Sequence, residues 1–214
     1  MTEEFNLIME YALQHTTPED EVLNRLNRET NLKTVYPHML SGHLQGRLLE
    51  MLSHMIRPHR ILEIGTFTGY SAICLAKGLP EKGLLHTIDI NDELADMALK
   101  YFRLAGLSEK IIFHAGDARE IIPELEDEFD LIFIDGDKEQ YLEYYEAVMR
   151  KLKKSGFILA DNVLWGGKVL PGYAGRDKET AGIADFNAFI SADKRVEKIL
   201  LPFRDGLFIL RKIV

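Results

Sequence analysis

The sequence predicts a doubly wound α/β fold, in which helices cover both faces of a mostly parallel sheet. After Pro58, short β-rich runs alternate with helical stretches. These runs are continuously apolar rather than alternating, as expected for strands that are buried on both faces. The chain has 214 residues, of which 46% are hydrophobic, so it is long enough to bury the core of one large domain.

Residues 1–58 are predicted to be helical. Apolar residues recur there at three- and four-residue spacing, and Pro18 and Ser41 are placed as helix starts. We therefore expect a single domain over residues 1–214, in which residues 1–58 form a helical extension and residues 59–214 form the α/β core.

The core elements follow in order along the chain. The predicted strands are RILEIG, LLHTIDI, KIIFHAGD, FDLIFID and GFILADN. The predicted helices between them cover residues 69–77, 93–105, 118–125 and 138–152. The last two apolar runs, RVEKILLP and GLFILRK, are separated only by FRD. That linker suits a hairpin and is too short for a parallel crossover, so we expect the sheet to end in an antiparallel strand.

Charge and cysteine content narrow the class of protein. The formal net charge is -8 and the basic residues form no long block, which does not favour binding to a phosphate backbone. The single cysteine, Cys74, cannot form an internal disulfide. Neither a signal peptide nor a membrane span is visible, so we expect a soluble cytoplasmic protein with no membrane partner.

Acidic residues lie at the carboxyl end of each of the first five predicted strands. They are Glu63, Asp89, Asp117, Asp135 and Asp161. Any one of them could be a helix N-cap or a turn residue. Together on one edge they would repel one another unless a cation or a hydrogen-bonding ligand lay among them. Because ligands of open parallel sheets bind at this edge, the sequence predicts a ligand site there.

The turn after the first strand, LEIGTFTGYS, is rich in glycine. It has neither the GxGxxG pattern of dinucleotide-binding loops nor the GxxxxGK[ST] pattern of phosphate loops. A glycine turn lets a ligand approach the backbone, and Asp89 stands where an acid accepts hydrogen bonds from ribose hydroxyls. These features favour a ribose-bearing ligand without a phosphate.

Five motifs carry a resemblance to a known family. They are LEIGTFTGYSAICLA, TIDI, GDA at residues 116–118, FIDGDKEQY and LADNVLWGGKV. In this order they resemble the class I S-adenosylmethionine-dependent O-methyltransferases, specifically bacterial members of the metal-dependent catechol and caffeoyl-CoA O-methyltransferase family. The resemblance runs from about Tyr36 to the C-terminus. It implies a Rossmann-like sheet of seven strands, the last antiparallel, and a homodimer.

The resemblance also assigns roles to individual residues. It implies that Asp135, Asp161 and Asn162 bind Mg²⁺ or another divalent cation, and such an all-oxygen ligand set suits a hard ion. Asp89 would hold the ribose of S-adenosylmethionine, and Asp117 and Ala118 would lie near the adenine. The full set of residues implied to bind this cofactor is Met39, Ser41, Glu63, Gly65, Ser71, Asp89, Asp117, Ala118 and Asp135.

Lys138 is the candidate catalytic residue. A lysine in the first turn of a helix is disfavoured by the helix dipole, which indicates a role other than a solvated surface residue. We predict that Lys138 takes the proton of the acceptor hydroxyl; a nearby cation would lower its pKa and Asp137 would raise it. Asp137 itself is more typical of a helix N-cap.

A long glycine-rich connection, residues 165–187, follows the fifth strand and is predicted to line the acceptor pocket. Trp165 and Tyr173 could pack against a flat acceptor ring, although Trp165 could instead fill an apolar gap beneath the loop. The sequence does not identify the acceptor.

Four functions fit the motifs unequally. The acidic balance favours a small catechol-like or phenolic acceptor over a hydroxylated uridine in tRNA. A regulator that binds the cofactor without catalysis is disfavoured by the intact metal triad and Lys138. A DxD phosphatase would carry its motif on the first strand with Thr or Val after it, whereas here three strands precede FIDGDK and Lys138 follows the second Asp.

Overall fold

A computed structural model describes residues 3–173, 175 and 177–214. Within them, the strands are β1 (Arg60–Ile64), β2 (Leu84–Asp89), β3 (Ile111–Ala115), β4 (Phe129–Ile134), β5 (Leu152–Asp161), β6 (Val196–Leu201) and β7 (Leu207–Lys212). The α-helices are α1 (Glu3–Gln14), α2 (Glu21–Lys33), α3 (Gly42–Ile56), α4 (Tyr70–Ala76), α5 (Ala95–Leu104), α6 (Ala118–Glu124), α7 (Tyr141–Met149) and α8 (Lys178–Ala192).

The described strands form one seven-stranded sheet in the order β3-β2-β1-β4-β5-β7-β6. Strands β1 to β5 pair in parallel, and β7 runs antiparallel to both β5 and β6. Both the predicted doubly wound fold and the predicted C-terminal hairpin are therefore confirmed.

Two predicted boundaries differ from the structure. The helix α2 begins at Glu21 with Asp20 as its N-cap, rather than at Pro18. The predicted helix 138–152 is too long, because α7 ends at Met149 and Leu152 already pairs with Phe129 in the sheet. Leu152 continues the helical spacing of Tyr144, Tyr145 and Val148, so the pattern alone does not reveal where the helix ends.

Apolar side chains cover both faces of the sheet. On one face, helices α2 to α5 contribute fully buried side chains such as Leu26, Leu49 and Phe102. On the other face, α6 to α8 contribute side chains such as Tyr145 and Phe186. Each such burial contributes about 1.5–3 kcal/mol. Since α3 is packed in this way, its first turn is held at the carboxyl edge of the strands.

No helix in the described part of the chain combines the length and the apolar character that a membrane span requires.

Candidate functional site

Asp135 and Asp161 lie side by side at the carboxyl edge of the sheet. Ile134 pairs with Ala160 in the adjacent parallel strands β4 and β5, and each carboxylate is the next residue along its strand. The Asp161 side chain is buried, and this burial, together with the neighbouring charge of Asp135, raises its pKa to about 6. Asp135 is only partly buried, but two adjacent carboxylates are unfavourable without a positive charge near them.

Asn162 follows Asp161 with a φ of 57°, a left-handed conformation that Asn tolerates better than most residues. The structure thus brings the three predicted metal ligands to the neighbouring ends of β4 and β5. Among the described residues, no group of three His, Cys, Asp or Glu side chains is placed to hold a metal ion, and the third ligand of the predicted set is the Asn162 side chain. Two carboxylates and an amide oxygen fit a hard divalent cation.

Lys138 is paired with one of these carboxylates. Its Nζ lies 2.8 Å from Asp135 Oδ1 and 2.8 Å from the hydroxyl of Tyr141. The Tyr141 hydroxyl in turn donates to the backbone oxygen of Asp161 at 2.9 Å. Burial disfavours the charge on Lys138, but the carboxylate of Asp135 outweighs burial and holds the lysine pKa above its ordinary value. In this geometry Lys138 is an ammonium, and its role as a proton acceptor stays a prediction.

Glu63 is fully buried beside the glycine turn. Burial raises its pKa to about 8, against the effect of the neighbouring Ser71 and Thr87 hydroxyls. Thr87 donates to Oε2 at 2.5 Å. The other oxygen, Oε1, is buried and has no hydrogen-bond partner among the described residues. An unpaired buried polar atom is costly, so this oxygen is suited to a hydrogen bond with a bound ligand.

Gly65 brings the glycine turn against the metal-site strand. Its φ is 100°, and a Cβ at this position would lie 2.2 Å from the backbone oxygen of Asp135. The turn is fixed from both sides, since Gly65 N donates to Ile88 O at 2.9 Å and Asp135 N donates to Ile64 O at 2.8 Å. Only glycine fits, and the absent side chain leaves the backbone open to a ligand.

Asp89 ends β2 next to this turn. Its carboxylate accepts hydrogen bonds from the backbone of Phe67 at 2.6 Å and of Asn91 at 2.9 Å. Burial raises the pKa of Asp89 despite these hydrogen bonds. The residue is therefore fixed where the sequence predicts ribose binding, although its hydrogen bonds also stabilise the two turns.

The remaining residues that were predicted to bind the cofactor differ in burial and in their contacts. Ser41 is buried just before α3, whereas Met39 is 55% exposed in the short turn before it. Asp117 is the N-cap of α6, and its ion pair with Arg119 lowers its pKa. Ala118 is buried in the core on that face.

Asp137 is a helix N-cap. It caps the turn Lys138–Gln140 by accepting from Glu139 N at 3.1 Å, which confirms the predicted N-cap.

Two residues near the site were not predicted from the sequence. Gln45 of α3 is buried, and its Nε2 donates to Asp161 Oδ2 at 2.5 Å. Arg204 lies in the β6–β7 turn, and its Nη1 donates to Gln45 Oε1 and to the backbone oxygen of Ser41. Gln45 could have been predicted from the sequence, because a polar residue on the buried side of a predicted helix needs a hydrogen-bond partner. No local sequence pattern predicts the role of Arg204.

The connection after β5 is the predicted acceptor wall. Trp165 packs against the core, as its gap-filling interpretation predicts, and Lys168 Nζ lies 5.5 Å from the centre of its ring. Tyr173 is 48% exposed. Residues 174 and 176 of the predicted acceptor wall lie outside the described residues.

The sequence of the chain was compared with those of known proteins. A sequence model described as O-methyltransferase matches residues 13–213. Caffeoyl-CoA O-methyltransferase 1 of Eucalyptus globulus is 36% identical over 196 residues, which are 87% of this chain and 80% of the plant protein.

Solved structures of O-methyltransferases are also similar to this chain. The O-methyltransferase from Bacillus cereus in complex with SAH superimposes with a TM-score of 0.89 at 27% identity, covering 96% of this chain and 97% of the other. The O-methyltransferase TomG from Streptomyces achromogenes, in complex with SAM and involved in tomaymycin synthesis, gives 0.90 at 28% identity over 100% of both chains.

Proposed function

The chain belongs to the O-methyltransferase family, and we propose that it methylates one hydroxyl of a small catechol-like or phenolic acceptor in a Mg²⁺-dependent reaction. It is an S-adenosylmethionine-dependent enzyme. The acceptor class and the cation are the proposed parts. Support for an aromatic acceptor comes from relatives named caffeoyl-CoA O-methyltransferase.

One observation carries the proposal of a cation. Asp135 and Asp161 are adjacent carboxylates at the strand ends, and Asp161 is buried. The backbone of Asp135 lies against the Gly65 turn, and Glu63, with its unpaired oxygen, precedes Gly65 by two residues. The turn and this oxygen suit the amino-acid end of S-adenosylmethionine. The groups for a hard cation and those for the methyl donor therefore lie at the same edge of the sheet.

In the proposed reaction, a bond forms between the acceptor oxygen and the methyl carbon as the bond from that carbon to sulfur breaks. A divalent cation held by Asp135, Asp161 and Asn162 would supply the positive charge that favours the ionised acceptor hydroxyl. The Gly65 turn and Asp89 fix the methyl donor from the other side. Holding both reactants in line lowers the entropic part of the barrier.

Lys138 has two proposed states. Without ligands, its ammonium neutralises Asp135 at 2.8 Å. When Asp135 engages a divalent cation, the same amine faces a positive charge, and we expect its pKa to fall. Lys138 would then accept the hydroxyl proton, and Tyr141, 2.8 Å from its Nζ, keeps the amine in place.

The test is methyl transfer to a simple catechol with and without EDTA. We expect EDTA to abolish turnover and excess Mg²⁺ to restore it. Asp161→Asn should lower kcat by about 100-fold or more while leaving S-adenosylmethionine affinity within about 2-fold. Asp185→Asn removes the same charge from the exposed face of α8 and serves as the matched control. Full activity in EDTA would remove the cation from the mechanism.

The alternatives give different results in the same assay. Transfer to tRNA carrying a hydroxylated uridine, with none to catechols, would replace the small acceptor. Tight S-adenosylmethionine binding without transfer to either acceptor would favour a regulator. Phosphate release from a general phosphatase substrate would favour the DxD phosphatase.

We also propose that the protein is a homodimer. The resemblance supports this, as do the exposed side chains of Met51 and Met55 on α3. Size-exclusion chromatography with light scattering should give twice the mass of one chain. Met55→Glu should lower the measured mass if α3 is in the interface. A single-chain mass at micromolar concentration would contradict the proposal.

A further inference from the structure

We propose that Arg204 and Gln45 are positioning residues for Asp161, and that Arg204 acts through the Gln45 amide. Arg204 fixes which end of the amide faces the carboxylate, and the amide in turn fixes the carboxylate for cation binding. This inference rests on the proposed cation site and goes beyond it, because neither residue is one of its ligands.

The orientation of the amide follows from hydrogen-bond chemistry. An amide side chain can present either its oxygen or its NH₂ group, and the two ends have nearly the same shape. An arginine has donors and no acceptor, so the end facing Arg204 must be Gln45 Oε1. The NH₂ end then faces Asp161 Oδ2, at 2.5 Å. Without Arg204, the oxygen could turn towards the carboxylate, where it would repel the charge.

The consequence concerns the oxygens of Asp161. Oδ2 is occupied by Gln45, whereas Oδ1 receives no side-chain hydrogen bond among the described residues. The two carboxylates of the site are also held differently, since Asp135 is paired with a cation, Lys138, and Asp161 with a neutral amide. Gln45 therefore orients Asp161 without cancelling the charge that attracts a metal ion.

The backbone at Arg204 is held in an uncommon conformation. Its φ is 50°, a left-handed conformation that favours glycine over arginine. The turn is held against the residues that follow the metal ligands, because Leu164 N donates to Asp205 O at 2.8 Å and Gly166 N donates to Asp205 Oδ1 at 2.5 Å. These hydrogen bonds fix the turn that carries the Arg204 side chain.

The test measures cation affinity without turnover. Isothermal titration of Mg²⁺ or Mn²⁺ into the protein should give a Kd about 10-fold or more higher for Arg204→Gly than for the wild type. Arg204→Lys keeps a side chain that can only donate and should recover part of the affinity. The matched control is Arg57→Gly, because Arg57 also has a positive φ, of 54°, on an exposed arginine at the end of α3, away from the site.

A second variant tests whether Arg204 acts through Gln45. Gln45→Met removes both ends of the amide at similar size and should raise the Kd at least as much as Arg204→Gly. Adding Arg204→Gly to Gln45→Met should then have no further effect, because the pathway is already broken. Additive losses would show that Arg204 does not act through the amide.

The outcomes separate this inference from the proposed function. A wild type that binds no divalent cation would overturn both. Cation binding by the wild type together with equal affinities of Arg204→Gly and Arg57→Gly would overturn the positioning role alone. Weakened cation binding by Arg204→Gly, with a thermal midpoint at or above that of the wild type, would support the positioning role. Loss of a merely structural arginine would lower the thermal midpoint as well as the cation affinity.

Discussion

The predicted cofactor side and the predicted acceptor side of the site are built in different ways. On the cofactor side, Gly65 has backbone within 2.2 Å of where a Cβ would stand, and Glu63 is completely buried. On the predicted acceptor side, no atom of the described residues other than the chain neighbours lies within 4 Å of the same point at Gly166 or Gly172, and Tyr173 is about half exposed. Close packing leaves no room for a new atom, whereas an open loop can accept one. We therefore expect changes on the cofactor side to affect folding, and changes on the acceptor side to affect acceptor choice.

The largest expected effect is a difference in stability between two glycine-to-alanine variants, one on each side of the site. Gly65→Ala combines a positive φ with a clash against backbone, and should lower the free energy of unfolding by about 3 kcal/mol or more and abolish cofactor binding. Gly172→Ala has a φ of 90° but open space around it, and should cost about 1 kcal/mol. Urea unfolding of the two variants gives both values. Equal costs would remove the distinction between the two sides.

The burial of Glu63 predicts a pH effect of intermediate size. Its pKa of about 8 in the folded protein lies above its ordinary value of 4.5, so between these pH values the folded state holds a proton that the unfolded state has lost. The contribution of Glu63 to stability should therefore be greatest at low pH and fall as pH rises through this window, by about 1.4 kcal/mol per pH unit.

The matched variant is Glu63→Gln, which cannot ionise. In cofactor-free protein, the wild type should lose about 2–3 kcal/mol relative to this variant between pH 5 and 7, as measured by urea unfolding at several pH values. Parallel stability curves would mean that the Glu63 carboxyl is ionised in the folded protein. The cofactor side would then be less apolar than its packing implies.

The smallest effect is expected for Tyr173→Ala on the acceptor side. Because this ring is half exposed, its removal should change the free energy of unfolding by less than about 0.5 kcal/mol. Loss of a contact between aromatic rings should raise the KM for a planar acceptor by about 2- to 10-fold. The affinity for S-adenosylmethionine, measured by titration, should stay unchanged. A large loss of stability would place Tyr173 in the packed part of the molecule.

Much of the fold could be predicted from local patterns. Continuous apolar runs identified strands buried on both faces, and the three-residue linker FRD predicted the hairpin of β6 and β7. The position of the site followed from the same argument, because the carboxyl ends of parallel strands share one edge. Asp135 and Asp161 are separated along the chain, yet the register of β4 and β5 makes them neighbours.

The sequence by itself determined the sheet, the edge that carries the site and the acids on it, since hydrophobic periodicity and strand ends are local properties of the chain. Only the tertiary structure decided what surrounds those acids. Gln45 of α3 contacts Asp161, and Arg204 of the β6–β7 turn contacts Gln45. The raised pKa of Lys138 arises from Asp135 beside it, against the effect of burial. Electrostatic energies depend on distance and burial, and neither quantity can be obtained from residue order before the chain is folded.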